Sequence, residues 1–154
     1  MTDSAGEPLT ILMADDDPDD CLLARLALER EGLHGTLRTV GDGEELMDYL
    51  RRRGPWADPA ASPRPHLILL DLNMPRKDGR EALQELKADP ALRQIPVVVL
   101  TTSRSEEEIY RSYDLGANSF VTKPVTFESL VQVMRSLNLY WLRTVSLPPR
   151  PPRP

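Results

Sequence analysis

The segment ADDDPDD (residues 14–20) places five aspartates among seven residues, directly after the apolar run LTILM (9–13). Carboxylates this close repel one another, most strongly where the protein excludes water. They are tolerated where they cap a helix in solvent, or where a cation lies among them. The segment therefore indicates helix capping, a cation site, or one role for some aspartates and the other role for the rest.

Three of these aspartates suit helix capping. Asp17 is a favourable N-cap residue, and Pro18 after it is a favoured first helical residue because proline has no backbone N–H to leave unpaired. Asp19 and Asp20 then fall in the first helical turn, where the helix dipole stabilises anions. Capping accounts for these three residues and leaves the two aspartates before the cap unexplained.

Asp15, Asp16 and Asp71 are the candidate metal ligands. Asp71 follows a second apolar run, LILL (67–70), and Lys123 follows a later run, SFVT (119–122). Three carboxylates and one ammonium carry a net charge of −2, which one divalent cation neutralises. The ligands are all oxygen atoms, without a cluster of cysteine or histidine nearby, so Mg²⁺ is the natural candidate.

Apolar runs that alternate with helical periodicity predict the elements that would position these residues. LTILM, LILL and VVVL (97–100) are continuous, which is typical of strands buried on both faces of a parallel sheet. TLRTV (36–40) and SFVT (119–122) are weaker strand candidates. Five helices are expected. The first runs from Asp17 towards Gly32, with an apolar face of Leu22, Leu23, Leu26 and Ala27, and the next three span 42–53, 79–88 and 105–115, the last of these with Ile109 and Tyr113 at helical spacing. The fifth begins at Thr126 and has an apolar stripe of Leu130, Met134, Leu137 and Trp141.

This order repeats strand and helix five times, which predicts an α/β fold with a doubly wound parallel sheet and helices on both faces. In such sheets the working site lies beyond the carboxyl ends of the strands. Asp15 and Asp16, Asp71, Thr101 and Lys123 each follow or end one of the predicted strands. We therefore expect them to converge at one edge of the sheet.

Composition indicates a single domain in a cytoplasmic protein. The chain has 154 residues, 40% of them hydrophobic, and a net charge of −5, which argues against a nucleic-acid-binding surface. One cysteine, Cys21, fits a reducing compartment, and we expect no membrane partner because no apolar stretch is long enough for a span. His34 and His66 are too isolated to indicate zinc, and we expect both at the surface or in loops.

Four motifs together resemble the receiver domain of two-component response regulators. They are ADD (14–16), LILLDLNMP (67–75), VVVLTT (97–102) and FVTKP (120–124). Each is weak alone, but the four in this order and spacing are specific. The resemblance implies a (βα)5 flavodoxin-like fold with strand order 2-1-3-4-5. It divides the chain into an N-terminal tail (1–7), a receiver domain (8–138) and a C-terminal extension (139–154) with an aromatic arm and a disordered end rich in proline and arginine.

The resemblance implies that Asp71 accepts a phosphoryl group from a phosphohistidine on a partner histidine kinase. Asp15, Asp16 and Asp71 would bind Mg²⁺ together with the backbone carbonyl of Asn73. Lys123 would neutralise charge on the phosphoryl oxygens. Such a protein catalyses only its own phosphorylation and dephosphorylation.

Three further roles are implied by the same resemblance. Thr101 would hydrogen-bond the new phosphoryl group and draw its loop inward. Phe120 would be the aromatic switch residue that turns inward as that loop moves. The Lys123–Pro124 bond would be cis, which would aim the lysine at the site.

The segments DGEELMDYLRRRGPWAD (42–58) and SYDLGANSFVTKP (112–124) resemble the stand-alone regulators paired with bacterial phytochrome kinases. That resemblance makes a bacteriophytochrome the expected kinase. After the last predicted helix too few residues follow for an output domain, so we expect signalling through protein contacts. Apolar residues near the end favour a homodimer. The expected interface comprises Tyr110, Tyr113, Tyr140, Trp141 and Leu142.

Other interpretations are possible from sequence. An aspartate-nucleophile phosphatase would have a second aspartate two residues after the nucleophile, but Asn73 occupies that position. A degenerate receiver that acts only as a binding module would lack some of the acidic, threonine and lysine positions, and all are present. A dinucleotide-binding Rossmann domain would have G-x-G-x-x-G after the first strand, which this chain lacks.

Overall fold

The structure, a computed structural model, describes residues 9–32, 35–102, 105–144 and 146–148. The expected N-terminal tail, His34 and the end of the chain from 149 lie outside the described residues. So does the side chain of Leu142, whose backbone is described.

Five parallel strands form one sheet in the order 2-1-3-4-5, as expected. Three strands that are buried along their whole length make its centre, because their continuous apolar sequences suit a layer covered on both faces. The two weaker candidates are the edge strands. The strands are β1 (Leu9–Ala14), β2 (Gly35–Val40), β3 (Leu67–Leu70), β4 (Val97–Thr101) and β5 (Ser119–Thr122).

In the described part of the chain, five α-helices alternate with the strands. Four of them begin at a side chain that accepts a backbone N–H of the first turn, which satisfies a donor that the helix itself leaves free. The helices are α1 (Pro18–Arg30), α2 (Gly43–Arg51), α3 (Gly79–Ala88), α4 (Glu106–Asp114) and α5 (Phe127–Leu137), which a π-helical stretch (Asn138–Thr144) continues. None of the helices in the described ranges is both long and apolar enough to cross a bilayer.

The sheet separates two hydrophobic layers. Alternate residues of β1 point to opposite faces, so Leu12 packs with α2 and α3, whereas Ile11 packs with α1 and α5. The expected stripe on α5 is confirmed, with Met134 and Leu137 buried. This packing fixes the carboxyl ends of β1, β3 and β4 side by side.

The expected apolar face of α1 is wrong for three of its four residues. Leu22, Leu23 and Leu26 are 54%, 37% and 44% exposed, whereas Ala24, Ala27 and Leu28 are buried. Two helical stripes overlap in the sequence, and hydrophobicity alone favours the one richer in leucine. The helix buries the stripe with the alanines because small side chains let its axis lie close to the sheet.

The proline-rich loop (54–65) is packed against α2. Its Trp56 ring lies 5.0 Å from the Tyr49 ring, centroid to centroid, and the Tyr49 hydroxyl donates to the Pro63 carbonyl at 2.7 Å. Tyr49 is 1% exposed. Prolines leave loop carbonyls with few N–H partners, so a buried phenol that donates to one of them stabilises the loop.

His66 lies in the loop before β3, one of the two expected positions, but it is buried. The ring Nδ1 of His66 accepts the backbone N–H of Thr10 at 3.1 Å, and the backbone N–H of His66 donates to the Thr10 carbonyl at 2.8 Å. The two bonds extend the pairing of β1 with the chain that enters β3. The imidazole therefore serves as a structural acceptor, a role that sequence spacing does not indicate.

Tyr49 gives a testable pH dependence. Burial raises its pKa from 10.0 to about 12. Below the lower value the phenol is protonated in both states, but at higher pH the unfolded state loses the proton first. We expect the free energy of unfolding to fall by up to about 1.4 kcal/mol per pH unit between the two pKa values, relative to Tyr49→Phe. Urea unfolding across that range measures the difference. Tyr140→Phe, at an exposed tyrosine, is the control and should follow wild type; equal slopes in wild type and Tyr49→Phe would contradict the prediction.

Candidate functional site

Three carboxylates meet beyond the carboxyl ends of β1 and β3. One oxygen of each of Asp15, Asp16 and Asp71 lies within 4.8 Å of the others. Asp15 and Asp71 are only 3% and 7% exposed, whereas Asp16 is exposed. The sheet therefore brings together the residues that the sequence predicted, with two of the three charges withdrawn from water.

The ammonium of Lys123 lies among these carboxylates. Its Nζ donates to Asp15 Oδ2 at 2.6 Å, to Asp20 Oδ2 at 2.8 Å and to Asp71 Oδ2 at 3.1 Å. Burial alone would lower the pKa of Lys123, but the hydrogen bonds to Asp15 and Asp20 outweigh it and raise the pKa above its usual range. Lys123 is therefore a permanent cation at this site.

The expected cis bond between Lys123 and Pro124 is wrong, since none of the peptide bonds among the described residues is cis. The lysine reaches the carboxylates through a trans bond, which is the favoured isomer. Its backbone N–H donates to the Thr101 carbonyl at 2.7 Å, and this bond to β4 fixes where the side chain begins.

Asp20 is a site residue that the sequence analysis assigned to capping alone. It lies in the first turn of α1, four residues after Asp16 and three after the N-cap Asp17, which keeps it near the end of β1. Its carboxylate binds Lys123 there. The spacing of four residues was the available signal, but the capping explanation already accounted for Asp20.

Backbone N–H groups orient the two buried carboxylates. Asp15 Oδ1 accepts from the N–H of Asp17 at 2.9 Å, and Asp71 Oδ1 accepts from the N–H of Asn73 at 3.2 Å. The Oδ2 atoms of both aspartates bind Lys123. Each carboxylate is thus held at both oxygens.

Gly79 allows α3 to approach the end of β3 closely. A Cβ atom there would lie 2.2 Å from the Asp71 carbonyl oxygen, and the Gly79 N–H donates to the Leu72 carbonyl at 2.9 Å. Any side chain would displace the backbone that carries Asp71. Gly79 is therefore a positioning residue for the site, which the sequence analysis placed only at a helix start.

Burial dominates the electrostatics of Asp15. It raises the pKa of that carboxyl, and the hydrogen bond from Lys123 offsets only part of the effect. The charge of Asp71 adds to the rise. Three carboxylates, those of Asp15, Asp20 and Asp71, bind one ammonium, and Asp16 lies beside two of them, so the site has excess negative charge.

Thr101 lies at the same edge of the sheet, whereas Phe120 lies further back along β5. Thr101 is fully buried, and its hydroxyl accepts from Asn73 Nδ2 at 3.4 Å. Phe120 is half-buried against the layer that includes α2 and α3. Its backbone N–H donates to the Tyr113 hydroxyl at 3.2 Å, which ties the expected switch residue to α4.

The donor set suits a hard divalent cation. Carboxylate oxygens within a few ångströms of one another, one of them on an exposed aspartate, match the oxygen ligands and partial hydration that Mg²⁺ and Mn²⁺ accept. Cys21 is close, with its Sγ 3.7 Å from the Asp15 carbonyl oxygen. Burial raises the pKa of that thiol to about 11, so it stays protonated and does not favour a soft metal.

A sequence profile of the response regulator receiver domain matches residues 11–135, most of the chain. The chain belongs to the response regulator receiver family. The receiver fold expected from the four motifs is confirmed, including the strand order.

Three similar proteins indicate which members of the family this chain resembles. The response regulator Rcp1 of Synechocystis sp. is 40% identical over 148 residues, which covers 96% of this chain and 99% of Rcp1. Its Mn²⁺-bound crystal structure has a TM-score of 0.84 at 41% identity and covers 92% of this chain and all of that one.

The other two relatives are solved structures of light-signalling regulators. The phosphorylated cyanobacterial phytochrome response regulator RcpA has a TM-score of 0.86 at 44% identity. RPA3017, from red light signalling of R. palustris, has a TM-score of 0.86 at 38% identity. Each comparison covers 92% of this chain and 99% of the other. The receiver is thus homologous to phytochrome response regulators over nearly its whole length.

Replacing the site lysine tests the electrostatic description. In Lys123→Met the buried carboxylates lose their ammonium, so we expect the metal-free protein to lose about 3 kcal/mol of stability. Added Mg²⁺ should raise its melting temperature more than that of wild type, because the cation replaces the missing charge. Differential scanning calorimetry with EDTA or MgCl₂ measures both effects.

Lys87→Met is the matched control. Lys87 is also half-buried, but its Nζ donates to the carbonyls of Arg93 and Ile95 at 3.0 and 2.8 Å, away from the site. Its melting temperature should respond to Mg²⁺ as wild type does. An equal response of the two lysine variants would contradict the prediction.

Proposed function

We propose that this chain is a single-domain response regulator that accepts a phosphoryl group on Asp71 from a partner histidine kinase in a Mg²⁺-dependent phosphorelay. The observation that carries the proposal is the convergence of Asp15, Asp16 and Asp71 with Lys123 at the carboxyl edge of the sheet. Membership of the receiver family supports a histidine kinase as the donor. The boundaries of the expected domain, 8–138, are part of the proposal.

The carboxylates of Asp15, Asp16 and Asp71 and the backbone carbonyl of Asn73 would hold Mg²⁺. The all-oxygen donor set supports this choice, as does the Mn²⁺-bound structure of Rcp1. When bound, the ion would neutralise charge on the phosphoryl oxygens.

In the transfer, a carboxylate oxygen of Asp71 forms a bond to phosphorus as the bond from phosphorus to the donor imidazole nitrogen breaks. The electron pair of the broken bond stays on that nitrogen, and the product is an acyl phosphate. The Asn73 N–H holds one oxygen of Asp71, which orients the carboxylate before reaction.

Lys123 supplies positive charge that is in place before the phosphoryl group arrives. It would stabilise the phosphoryl oxygens during transfer. Thr101 would donate its hydroxyl to the product, and Phe120 would respond to movement of the loop that follows β4.

The kinase we propose is a bacteriophytochrome. RcpA is named a phytochrome response regulator, and RPA3017 is described in red light signalling. The competing interpretation, an aspartate-nucleophile phosphatase, is not favoured. Asn73 stands where that class has its acid, and its side chain donates to Thr101.

Intact-mass spectrometry tests the phosphoacceptor. Incubation with acetyl phosphate and Mg²⁺ should add one phosphoryl group to wild type, with acetate released, and Asp71→Asn should abolish the gain. Asp17→Asn is the matched control, because asparagine also caps helices and residue 17 is outside the carboxylate cluster. It should be labelled as wild type is, and label on Asp71→Asn would disprove the assignment.

We also propose that the protein signals as a homodimer. Tyr110 and Tyr113 of α4 are 76% and 49% exposed, and Tyr140 beyond α5 is 54% exposed. Aromatic side chains at the surface favour protein contacts. Trp141, by contrast, is half-buried against the layer that includes α1 and α5, so part of the expected aromatic arm covers its own domain.

Sedimentation velocity tests the dimer. Tyr140→Ser removes an exposed aromatic side chain whose ring contacts that of Trp141, at 5.3 Å between centroids, and we expect it to shift the protein towards monomer. Val125→Ser changes a residue that is 89% exposed between β5 and α5, and it should leave the mass unchanged. A monomeric wild type, or an unchanged Tyr140→Ser, would count against this interface.

A further inference from the structure

Hydrogen bonds and ion pairs, more than burial of apolar side chains, hold α4 in place. Ser112 is the one buried residue of this helix, the whole of which the structure describes. By comparison, α3 buries four residues, two of them leucines. A helix with so little buried apolar surface depends on individual hydrogen bonds and ion pairs for its position.

Two such bonds lie at opposite ends of α4. In its first turn Glu108 accepts from Arg80 of α3, with Oε2 2.9 Å from Nε and Oε1 2.7 Å from Nη2. In its last turn the Tyr113 hydroxyl accepts the N–H of Phe120 in β5. The Arg80–Glu108 pair has the bidentate geometry that makes arginine–carboxylate pairs strong, and the two side chains are only 20% and 26% exposed.

Arg80 also begins next to the backbone of the proposed phosphoacceptor. The residue before it, Gly79, is in backbone contact with Asp71. The hydrogen bond to Glu108 raises the pKa of Arg80, and the charge of Asp71 adds to the rise. One guanidinium therefore experiences both carboxylates, one at the reaction site and one on α4.

We propose that Arg80 couples the charge on Asp71 to the position of α4. The proposal rests on the proposed phosphorylation of Asp71. While Asp71 is a carboxylate, Arg80 binds Glu108 and fixes the first turn of α4. A phosphoryl group brings additional negative charge and three strong acceptor oxygens, so it competes with Glu108 for the guanidinium. The bond that holds α4 then weakens, and the surface that carries Tyr110 and Tyr113 is released.

Competition for one guanidinium predicts opposite effects of the two halves of the pair. Glu108→Gln releases Arg80 towards the phosphoryl group, so it should raise the phosphorylated fraction at steady state. Arg80→Gln removes the cation and should lower that fraction. If the pair only stabilised the fold, both variants would shift the phosphorylated fraction in the same direction, because each of them breaks the same contact.

The test measures the phosphorylated fraction by intact mass with acetyl phosphate and Mg²⁺. We expect the ratio of phosphorylated to unphosphorylated protein to change by up to about fivefold in each direction, which is the size of effect expected from one partly exposed charge pair. The double variant should match Arg80→Gln, because Glu108 acts only through Arg80, and Arg80→Lys should recover part of the loss. Arg51→Gln breaks another arginine–glutamate pair, between α2 and α3, and should leave the fraction at the wild-type value.

Hydrogen exchange provides a second measurement on the same samples. Without acetyl phosphate, α4 peptides of Glu108→Gln should exchange as fast as those of phosphorylated wild type, while β1 and β3 peptides stay protected and show that the variant is folded. Effects of the same sign in the two single variants, or unchanged exchange in α4, would overturn the coupling alone. A wild type that gains no phosphoryl group, or Asp71→Asn that still gains one, would overturn the proposed function together with the coupling.

Discussion

One ammonium among like charges is the interaction on which the site depends. Asp15 and Asp71 lie at the ends of neighbouring central strands, almost wholly withdrawn from water, and their repulsion would oppose the packing that brings β1 and β3 together. Lys123 offsets that repulsion with hydrogen bonds to both. Because Lys123 is itself bonded through its backbone to β4, three strands and α1 meet at this one ammonium.

The carboxylates outnumber the ammonium, so the site keeps negative charge that a second cation can neutralise. Each buried carboxylate keeps one oxygen on a backbone N–H and turns the other towards Lys123, so entry of a cation need not reorient the aspartates. In the proposed transfer, the lysine would give up part of its bonding to the aspartates and turn to the phosphoryl group. This is preorganisation in the physical sense: folding supplies the free energy that places the charges before the reaction.

The sequence predicted the sheet and the central carboxylates well, because both follow from local patterns. Continuous apolar runs such as LILL suit strands buried on both faces, and β3 and β5 have the bounds that these runs indicated. The misses share a cause. The exposed leucines of α1, the buried His66 and the contact of Asp20 with Lys123 depend on how elements pack, which no local pattern specifies. The trans bond at Pro124 shows the same limit, since the family resemblance implied cis and the lysine reaches the site without it.

A weakly buried helix beside a strongly charged site has a physical consequence. One added phosphoryl group changes local interaction energies by a few kcal/mol, so it can displace only an element held by interactions of similar size. Burial of Leu83 and Leu86 secures α3 more firmly than that. The polar attachment of α4 lies within reach of such a change, and Arg80, which makes that attachment, directly follows the residue whose backbone contacts Asp71. In the proposed coupling, the helix that moves and the charge that moves it act on the same guanidinium.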